Sequence, residues 1–553
     1  MTDAQPLNLQ ENDVLRGRVK IGGHSVELAE IEDALRSPDF VKDAKAVLHQ
    51  EQNGGEVKIM CLVTLNEEQC SGQAADNDLE TQHVENWIGM FDSQVYSCFD
   101  DVSPEAMGRD FKGWKSMYNG SDIDRDEMNE WLDDAIETII KIEPHRHILE
   151  IGTGSGMVLF NLVNRIDSYI GLEPSAKAFE FITSITQGMP SSMTSKIKMF
   201  NVTAASLSNL YECAFTPDIV VINSVVQYFP NQEYLLQVIR DILHISSVKT
   251  IFLGDIRSRA LYRQFLAART LCMTGDEVTP DEVQEVMASM EQSEPELLVN
   301  PAFFTGLVYL FPNEVEHVEV LPKKIHATNE LSAFRYAVVV HIRARRIDKE
   351  SNAATENQLH SQLQQHQTMI EEVDQDIWLD FMDNYLSYQS LSEHLQRLPK
   401  GSVVAVSNIP HSKSVFERFL VESLDGHDDD DDDWISRIRE KSQRYPALSA
   451  VELAALARET GYQVEISWAR QESQHGGLDA IFHPGKVANG QSRILFRFPT
   501  DSQGDGPQSQ RHSIQPLSRQ MDENIPRQLR EILQARLLLP MVPVEVLVVD
   551  KIP

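Results

Sequence analysis

The sequence predicts an α/β chain built on a doubly wound, Rossmann-like sheet, and three observations predict it. An apolar run, Ile148-Leu-Glu-Ile151, feeds a glycine-rich turn, Gly152-Thr-Gly-Ser-Gly156, and helical periodicity begins at about Met157. A second apolar run, Tyr169-Ile-Gly-Leu172, ends in an acid, Glu173. From about 83 to 346, strand-like and helix-like segments keep alternating, the pattern of helices packed on a mostly parallel sheet. Glycines at such a turn let a ligand approach the backbone closely. An acid at the end of the next strand accepts hydrogen bonds from ribose hydroxyls.

The other segments follow in order. Residues 14–75 hold a short β segment at Val19–Val26, a helix from Glu27 to Leu35, and strands at Val41–Leu48 and Val57–Leu65. Polar residues 66–82 read as a linker before the domain at 83–346. A second linker is placed at 347–375, with Lys349–Thr368 rich in Gln, Asn and Glu. Residues 376–500 form an accessory α/β region, with strands at Val403–Ile409, Val464–Trp468 and Ile494–Phe498 and helices at Val415–Leu424 and Ala450–Glu459. The aspartate run 428–433 reads as a solvated loop. After a polar loop at Gln503–Asn524, residues 524–553 give a helix (Pro526–Leu538) and a strand (Val544–Val549).

Composition excludes several classes. A net charge of −35 over 553 residues argues against a nucleic-acid partner, whose phosphates attract Lys and Arg. No apolar run is long enough to span a bilayer, and the polar N-terminus does not read as a signal peptide; the scattered cysteines suit free thiols in a reducing cytosol, so a cytoplasmic location is expected. Cysteines 61, 70, 98, 213 and 272 lack ligand spacing and read as free thiols, with no metal site expected.

The glycine–acid spacing suits a dinucleotide or an S-adenosylmethionine (SAM) site, and the letters separate the two. Glu150-x-Gly-x-Gly-x-Gly, with an acid inside the strand, resembles motif I of class I SAM-dependent methyltransferases; the dinucleotide form has Gly-x-Gly-x-x-Gly and no such acid.

The two ends carry a second resemblance. Val19-Lys-Ile-Gly-Gly-His-Ser-Val-Glu-Leu resembles the eighth core motif of nonribosomal peptide synthetase adenylation domains, which opens their small C-terminal subdomain. Leu539-Pro-Met-Val-Pro543 resembles the ninth, and Val548–Pro553 resembles the lead-in to the tenth. The segments Phe111–Tyr118, Asn223–Pro230, Gly254–Arg257, Ala327–Tyr336 and Val406–Pro410 extend the likeness through the middle. The chain thus resembles the interrupted adenylation domains of fungal enniatin- and cyclosporin-type synthetases, in which an N-methyltransferase is inserted. The resemblance implies a class I methyltransferase domain within a split, small α+β adenylation subdomain, plus an α/β appendage. Departures are clear: Gly22 stands where Arg is usual, and the large adenylation subdomain is absent, which implies no adenylation by this chain.

The expected cofactor site comprises Glu150, Gly152, Thr153, Gly154, Gly156, Met157, Glu173, Pro174, Asn201, Val202, Asn223 and Ser224, with Trp114 and Tyr118 read either as a lid or as helix-packing residues. Asn201 reads equally as a turn former. The acceptor end is assigned to Asn223, Gln227 and Tyr228, with Asp255 and Arg257 either an acceptor-binding pair or a structural ion pair. Aromatic and amide groups there suit an amine and the cationic methyl donor.

The resemblance implies SAM-dependent N-methylation of the α-amine of an aminoacyl thioester, borne on a phosphopantetheinylated carrier domain and shared with other synthetase modules. Two alternatives stay open: an inactive remnant that binds a partner, and a methyltransferase acting on a soluble small-molecule amine.

Overall fold

The computed structural model describes residues 18–21, 24–38, 41–49, 58–65, 73–97, 107–142, 146–210, 216–343, 370–374, 377–399, 401–426, 433–485, 493–501, 513–514, 529–530, 532–534, 542–543 and 545–549. The linker core 349–368, the aspartates 428–432, His145, three of the cysteines (70, 98, 213) and most of the polar loop 503–524 lie outside the described residues. Two compact units divide the chain, one from 1–85 with 515–553, the other from 86–514.

In the first unit, β1 (Arg18–Ile21) and β2 (His24–Glu27) pair antiparallel. Helix α1 (Leu28–Leu35) turns Ile31 and Leu35 inward, as their helical spacing dictates. Strands β3 (Val41–His49) and β4 (Lys58–Leu65) pair antiparallel, and the strand Glu545–Val548 from the far end of the chain adds to β4 in parallel. Leu529, Leu533 and Val546 join Ile31, Leu35, Ile59, Cys61 and Val63 in one apolar core, so the two ends of the sequence fold together.

Helix α2 (Gln73–Met90) ends in a π-helical turn at Phe91–Val95. Helix α3 (Arg125–Lys141) is N-capped by Asp124 and buries Met128, Trp131, Leu132, Ala135 and Ile139. There follow β5 (His147–Ile151), α4 (Met157–Leu162), β6 (Ser168–Leu172), α5 (Ala176–Gln187), β7 (Ile197–Phe200), β8 (Ile219–Asn223), α6 (Gln232–His244) and β9 (Thr250–Arg257). Helices α7 (Tyr262–Thr274) and α8 (Pro280–Gln292), the latter with a Thr279–Glu282 capping box, lead to the short β10 (Leu298–Val299). Strands β11 (Val315–Pro322) and β12 (Arg335–Ile342) close the sheet.

The seven strands run in the order β11-β12-β9-β8-β5-β6-β7; β5 to β9 are parallel, and β12 is antiparallel to both its neighbours. Strand β8 is buried at every position, as a strand covered on both faces must be, which explains its unbroken Ile-Val-Val-Ile. The chain order reverses between β5 and β8, so the crevice beyond their carboxyl ends is the topological switch point where ligands bind in this architecture.

Past β13 (Ile370–Glu372), a second sheet is built from β14 (Trp378–Asp380), β15 (Val404–Ile409), β16 (Gln463–Ser467) and β17 (Leu478–His483), in the order β14-β15-β17-β16. Helices α9 (Tyr388–Arg397), α10 (Val415–Gly426), α11 (Trp434–Arg444) and α12 (Ala450–Thr460) accompany it. Its order and strand directions repeat the β8-β9-β12-β11 half of the first sheet. Even the local irregularity recurs: Asp255 in β9 and Asn408 in β15 both have φ near +60° at a register shift against the next strand. The two sheets share one apolar core, to which the packed helices α7 and α10 contribute Phe265 and Leu266, and Phe419 and Leu420. Strand β18 (Leu495–Arg497) pairs in parallel with β13, whereas β19 (Ser513–Ile514) pairs antiparallel with β10.

Candidate functional site

The glycine turn leaves β5 and begins α4. Gly152, Gly154 and Gly156 have φ of +79°, +54° and +81°, values costly for any residue with a Cβ. A Cβ on Gly152 would lie 2.4 Å from Val225 Cγ2, and one on Gly156 would lie 2.5 Å from Phe160. The turn is pinned by Gly152 N–H and Thr153 N–H, both donating to the Leu172 carbonyl at the end of β6. Met157 opens α4 and packs partly buried against its core.

Glu173 is 4% exposed and accepts hydrogen bonds from Gly154 N–H at 2.7 Å and Ser175 N–H at 2.9 Å. The acid thus faces the glycine turn. Burial pushes its carboxyl up to about 7, against the lowering effect of those two amides. Beneath the turn, Glu150 is 2% exposed and accepts a close hydrogen bond from Tyr169 Oη, which also lies 3.3 Å from Thr153 Oγ1. Burial pushes this second carboxyl up to about 8. Asn201 Nδ2 donates to the Glu173 and Pro174 carbonyls, which ties the ends of β6 and β7 together, and Val202 packs behind it. Asn201 therefore acts on the backbone, the role its turn-forming character suggests.

At the end of β8, Asn223 is buried and its Oδ1 has no hydrogen-bond partner among the described residues. A Cβ on Gly254 would fall 2.0 Å from that oxygen, so the neighbouring strand needs glycine here. Ser224 takes φ +58° and donates through Oγ to Asp255 Oδ2 at 3.0 Å. Gln227 Nε2 donates to the Ser224 carbonyl. Tyr228 packs in an aromatic group with Trp87 (4.7 Å) and Phe91 (5.0 Å), and burial raises its hydroxyl.

Asp255 and Arg257 form two separate ion-paired groups, so the structural ion pair read from the sequence is replaced by other partners for each. Asp255, fully buried, meets Arg335 Nη1 at 2.7 Å, Lys323 Nζ at 3.3 Å and Trp131 Nε1 at 2.9 Å. Burial alone would raise its carboxyl; the two cations and the hydrogen bonds outweigh this and hold it below the ordinary carboxylate range. Arg257 forks onto Glu294 at 2.6 and 2.9 Å and reaches Glu296 at 2.9 Å. Burial disfavours its charge, but these acids keep it ionised.

The aromatic cover also differs from expectation. Trp114 packs on Trp131 at 4.6 Å, and Tyr118 stacks on Phe265 at 5.8 Å, both partly buried against the core. The segment brought over the glycine turn is the end of α2 with its π-helical extension. Tyr96 Oη lies 3.3 Å from the position of a Cβ on Gly154, Asp92 accepts a close hydrogen bond from the Ser175 hydroxyl, and Lys177 Nζ donates to the Asp92 carbonyl at 2.8 Å. Sequence reasoning missed Trp87, Phe91, Asp92 and Tyr96. Their signal was the aromatic pair at i and i+4, Trp87 and Phe91, at a helix end. Among the described residues no group of three or more His, Cys, Asp or Glu is placed to hold a metal, and no helix is long and apolar enough to cross a membrane.

No family model matches the chain. Curated relatives do. It is 43% identical over 542 residues to the nonribosomal peptide synthetase TES of Alternaria alternata, and 45% identical over 543 residues to the nonribosomal peptide synthetase dtxS1 of Metarhizium robertsii. It is 40% identical over 549 residues to the beauvericin nonribosomal cyclodepsipeptide synthetase of Beauveria bassiana. This chain is homologous to one segment of fungal nonribosomal peptide synthetases. Each alignment covers 97% of this synthetase-like segment but only 10%, 6% and 16% of the respective relative. Among solved structures, the methyltransferase domain of bacterial CtHen1 matches over 38% of the segment and 98% of its own chain, with 13% identity and a TM-score of 0.26. The glycopeptide N-methyltransferase MtfA complexed with SAM matches over 24% and 56%, with 17% identity and a TM-score of 0.19. At those scores the fold assignment of the synthetase segment rests on its own strand order.

Proposed function

We propose that this chain is a SAM-dependent N-methyltransferase acting on the α-amine of an aminoacyl thioester held by a carrier domain, as part of a fungal-type peptide synthetase. The observation that carries the reading is Glu173 facing the glycine turn beside the buried end of β8, at the switch point of the sheet. The residues present suit the cofactor: three left-handed glycines form a tight turn, packed against Val225 and Phe160, that no residue with a Cβ could copy, and an acid stands where ribose hydroxyls need an acceptor.

When bound, the cofactor supplies an electrophilic methyl group on a positively charged sulfur. Gly152, Thr153, Gly154 and Gly156 would hold it on backbone, and Glu173 would accept hydrogen bonds from its ribose hydroxyls. Glu150 braces the turn from below. Asn223, Ser224, Gln227 and Tyr228 form the wall toward the acceptor, with the Tyr228 ring available to a cation. Trp87, Phe91 and Tyr96 exclude water. An α-amine has a pKa of about 7.7–8.0, so a neutral fraction exists near pH 7 and orientation counts for more than a strong base. The high homology to synthetase segments supports a carrier-borne acceptor and neighbouring synthetase modules as partners.

The test is methyl transfer from radiolabelled SAM to a carrier domain loaded with valine, leucine or phenylalanine, with Glu173→Ala as control. Label on the loaded carrier, absent in the control, is the expected outcome. Failure to bind SAM at all sinks the proposal, and label on free amino acids but not on carriers replaces the carrier with a soluble acceptor.

A further inference from the structure

Far along the sheet from the glycine turn, where β11 of the first sheet meets β16 of the second, a cavity of about 640 Å³ opens to the surface. Its size lies within the range of small-molecule sites, about 300–1,000 Å³. The two edge strands approach closely there, and Trp468 N–H, just past β16, donates to the Val320 carbonyl of β11 at 2.8 Å.

The wall chemistry is specific. Trp378 and Phe498 form an edge-to-face pair at 6.1 Å, and Tyr309, 68% exposed, stands at the rim. Glu372 and Arg497 are register partners on the parallel strands β13 and β18, so their side chains leave the same face of the pair. Both line the cavity, and neither has a hydrogen-bond or ion-pair partner among the described residues. His317, 7% exposed, also lines it; its ring stacks on His341 at 5.8 Å and makes no hydrogen bond among the described residues. The remaining lining acids are already matched, since Glu319 and Glu465 converge on Arg493 and Glu319 also meets His341. What is left unengaged is one carboxylate, one guanidinium, one buried imidazole and an aromatic wall.

We propose that this cavity binds a free α-amino acid with an aromatic or large aliphatic side chain. The ammonium meets Glu372, the carboxylate meets Arg497 and the side chain lies against Trp378 and Phe498. Bidentate guanidinium–carboxylate pairing gives orientation as well as strength. A polyanion such as a nucleotide is disfavoured, because three carboxylates, of Glu319, Glu372 and Glu465, line the cavity with the single unengaged guanidinium. The inference does not rest on the proposed methyl transfer, which uses the other end of the sheet.

Calorimetry or ligand-observed NMR on the full chain tests it, with L-phenylalanine, L-leucine, 3-phenylpropionate (no ammonium) and phenethylamine (no carboxylate) as probes. The amino acids are expected to bind with a dissociation constant below about 1 mM, and each truncated probe to bind about tenfold or more weakly. Arg497→Gln should weaken phenylalanine about tenfold, whereas Glu372→Gln should weaken phenylalanine but spare 3-phenylpropionate. Both substitutions fall on exposed side chains, so an unchanged melting temperature is expected. Glu173→Ala, at the other site, should leave phenylalanine binding intact. Equal binding of all probes, no binding of either amino acid, or binding that survives both cavity substitutions overturns the proposal. Loss in Glu173→Ala relocates the site and overturns it too.

Discussion

Ser224 donates to Asp255 across 3.0 Å, and both residues lie in the left-handed backbone region, at φ +58° and +63°. Such a conformation costs a non-glycine residue on the order of 1–2 kcal/mol, so two in contact need external support. Arg335 and Lys323 supply it by ion-pairing the buried Asp255, and Trp131 adds an indole hydrogen bond from α3. The ends of β8 and β9 are thereby fixed as a unit, which also fixes where Asn223 and Gln227 point.

Asp255→Ala should therefore be severe. It leaves two buried cations uncompensated, a situation that costs about 3–5 kcal/mol. The carboxyl is held below its ordinary range, so its contribution is complete above the unfolded value near 3.8 and is lost as pH falls through the folded value. Urea denaturation at pH 7 measures the effect; a loss under about 1 kcal/mol means that Arg335 and Lys323 find other partners.

Gly152→Ala is expected to damage both stability and cofactor affinity. The added Cβ meets Val225 at 2.4 Å in a backbone region that L-residues avoid. Overpacking of this kind costs about 1–3 kcal/mol. SAM binding by calorimetry and the melting temperature check the two effects, and an unchanged affinity argues against the turn as the cofactor cradle.

The parts that read clearly from sequence were those governed by local rules. Buried parallel strands show as unbroken apolar runs, so β5, β6 and β8 were visible, as was the glycine turn between Ile151 and Met157. Long-range pairing was not visible. Nothing adjacent to Asp255 announces Lys323 or Arg335, and nothing adjacent to Arg257 announces Glu294, because strand crossovers bring them together. The aromatic cover was misplaced for a similar reason. Trp114 and Tyr118 read as lid residues by their place in the N-terminal segment, with helix packing as the alternative, and they pack on Trp131 and Phe265, while Tyr96 reaches Gly154 from beyond a helix that sequence assigned partly to a linker.

Trp87 offers a direct optical check on that cover. Its ring lies 4.7 Å from Tyr228 and 6.3 Å from Phe91, beside the cofactor crevice. Titration with SAM should change the intrinsic fluorescence, and Trp87→Phe should remove most of the change without abolishing binding. A signal that persists in full points to another tryptophan and removes α2 from the binding event.

Glu150 makes the ligand-free protein sensitive to pH in an unusual direction. Its carboxyl titrates at about 8 in the folded chain, because burial disfavours the anion, against 4.5 in its ordinary state. Between those values the folded protein keeps a proton that the unfolded chain has released. The native state therefore binds more protons, and stability falls as pH rises from about 4.5 to about 8, by on the order of a few kcal/mol from this group. Glu173 and Glu417, each raised to about 7 by burial, contribute with the same sign. Glu150→Gln keeps an acceptor for Tyr169 and removes the ionisation, so the difference in urea stability between pH 5 and pH 8 should shrink but not vanish. An unaltered difference would mean that Glu150 is already ionised in the folded protein at pH 5, with Tyr169 compensating the buried charge.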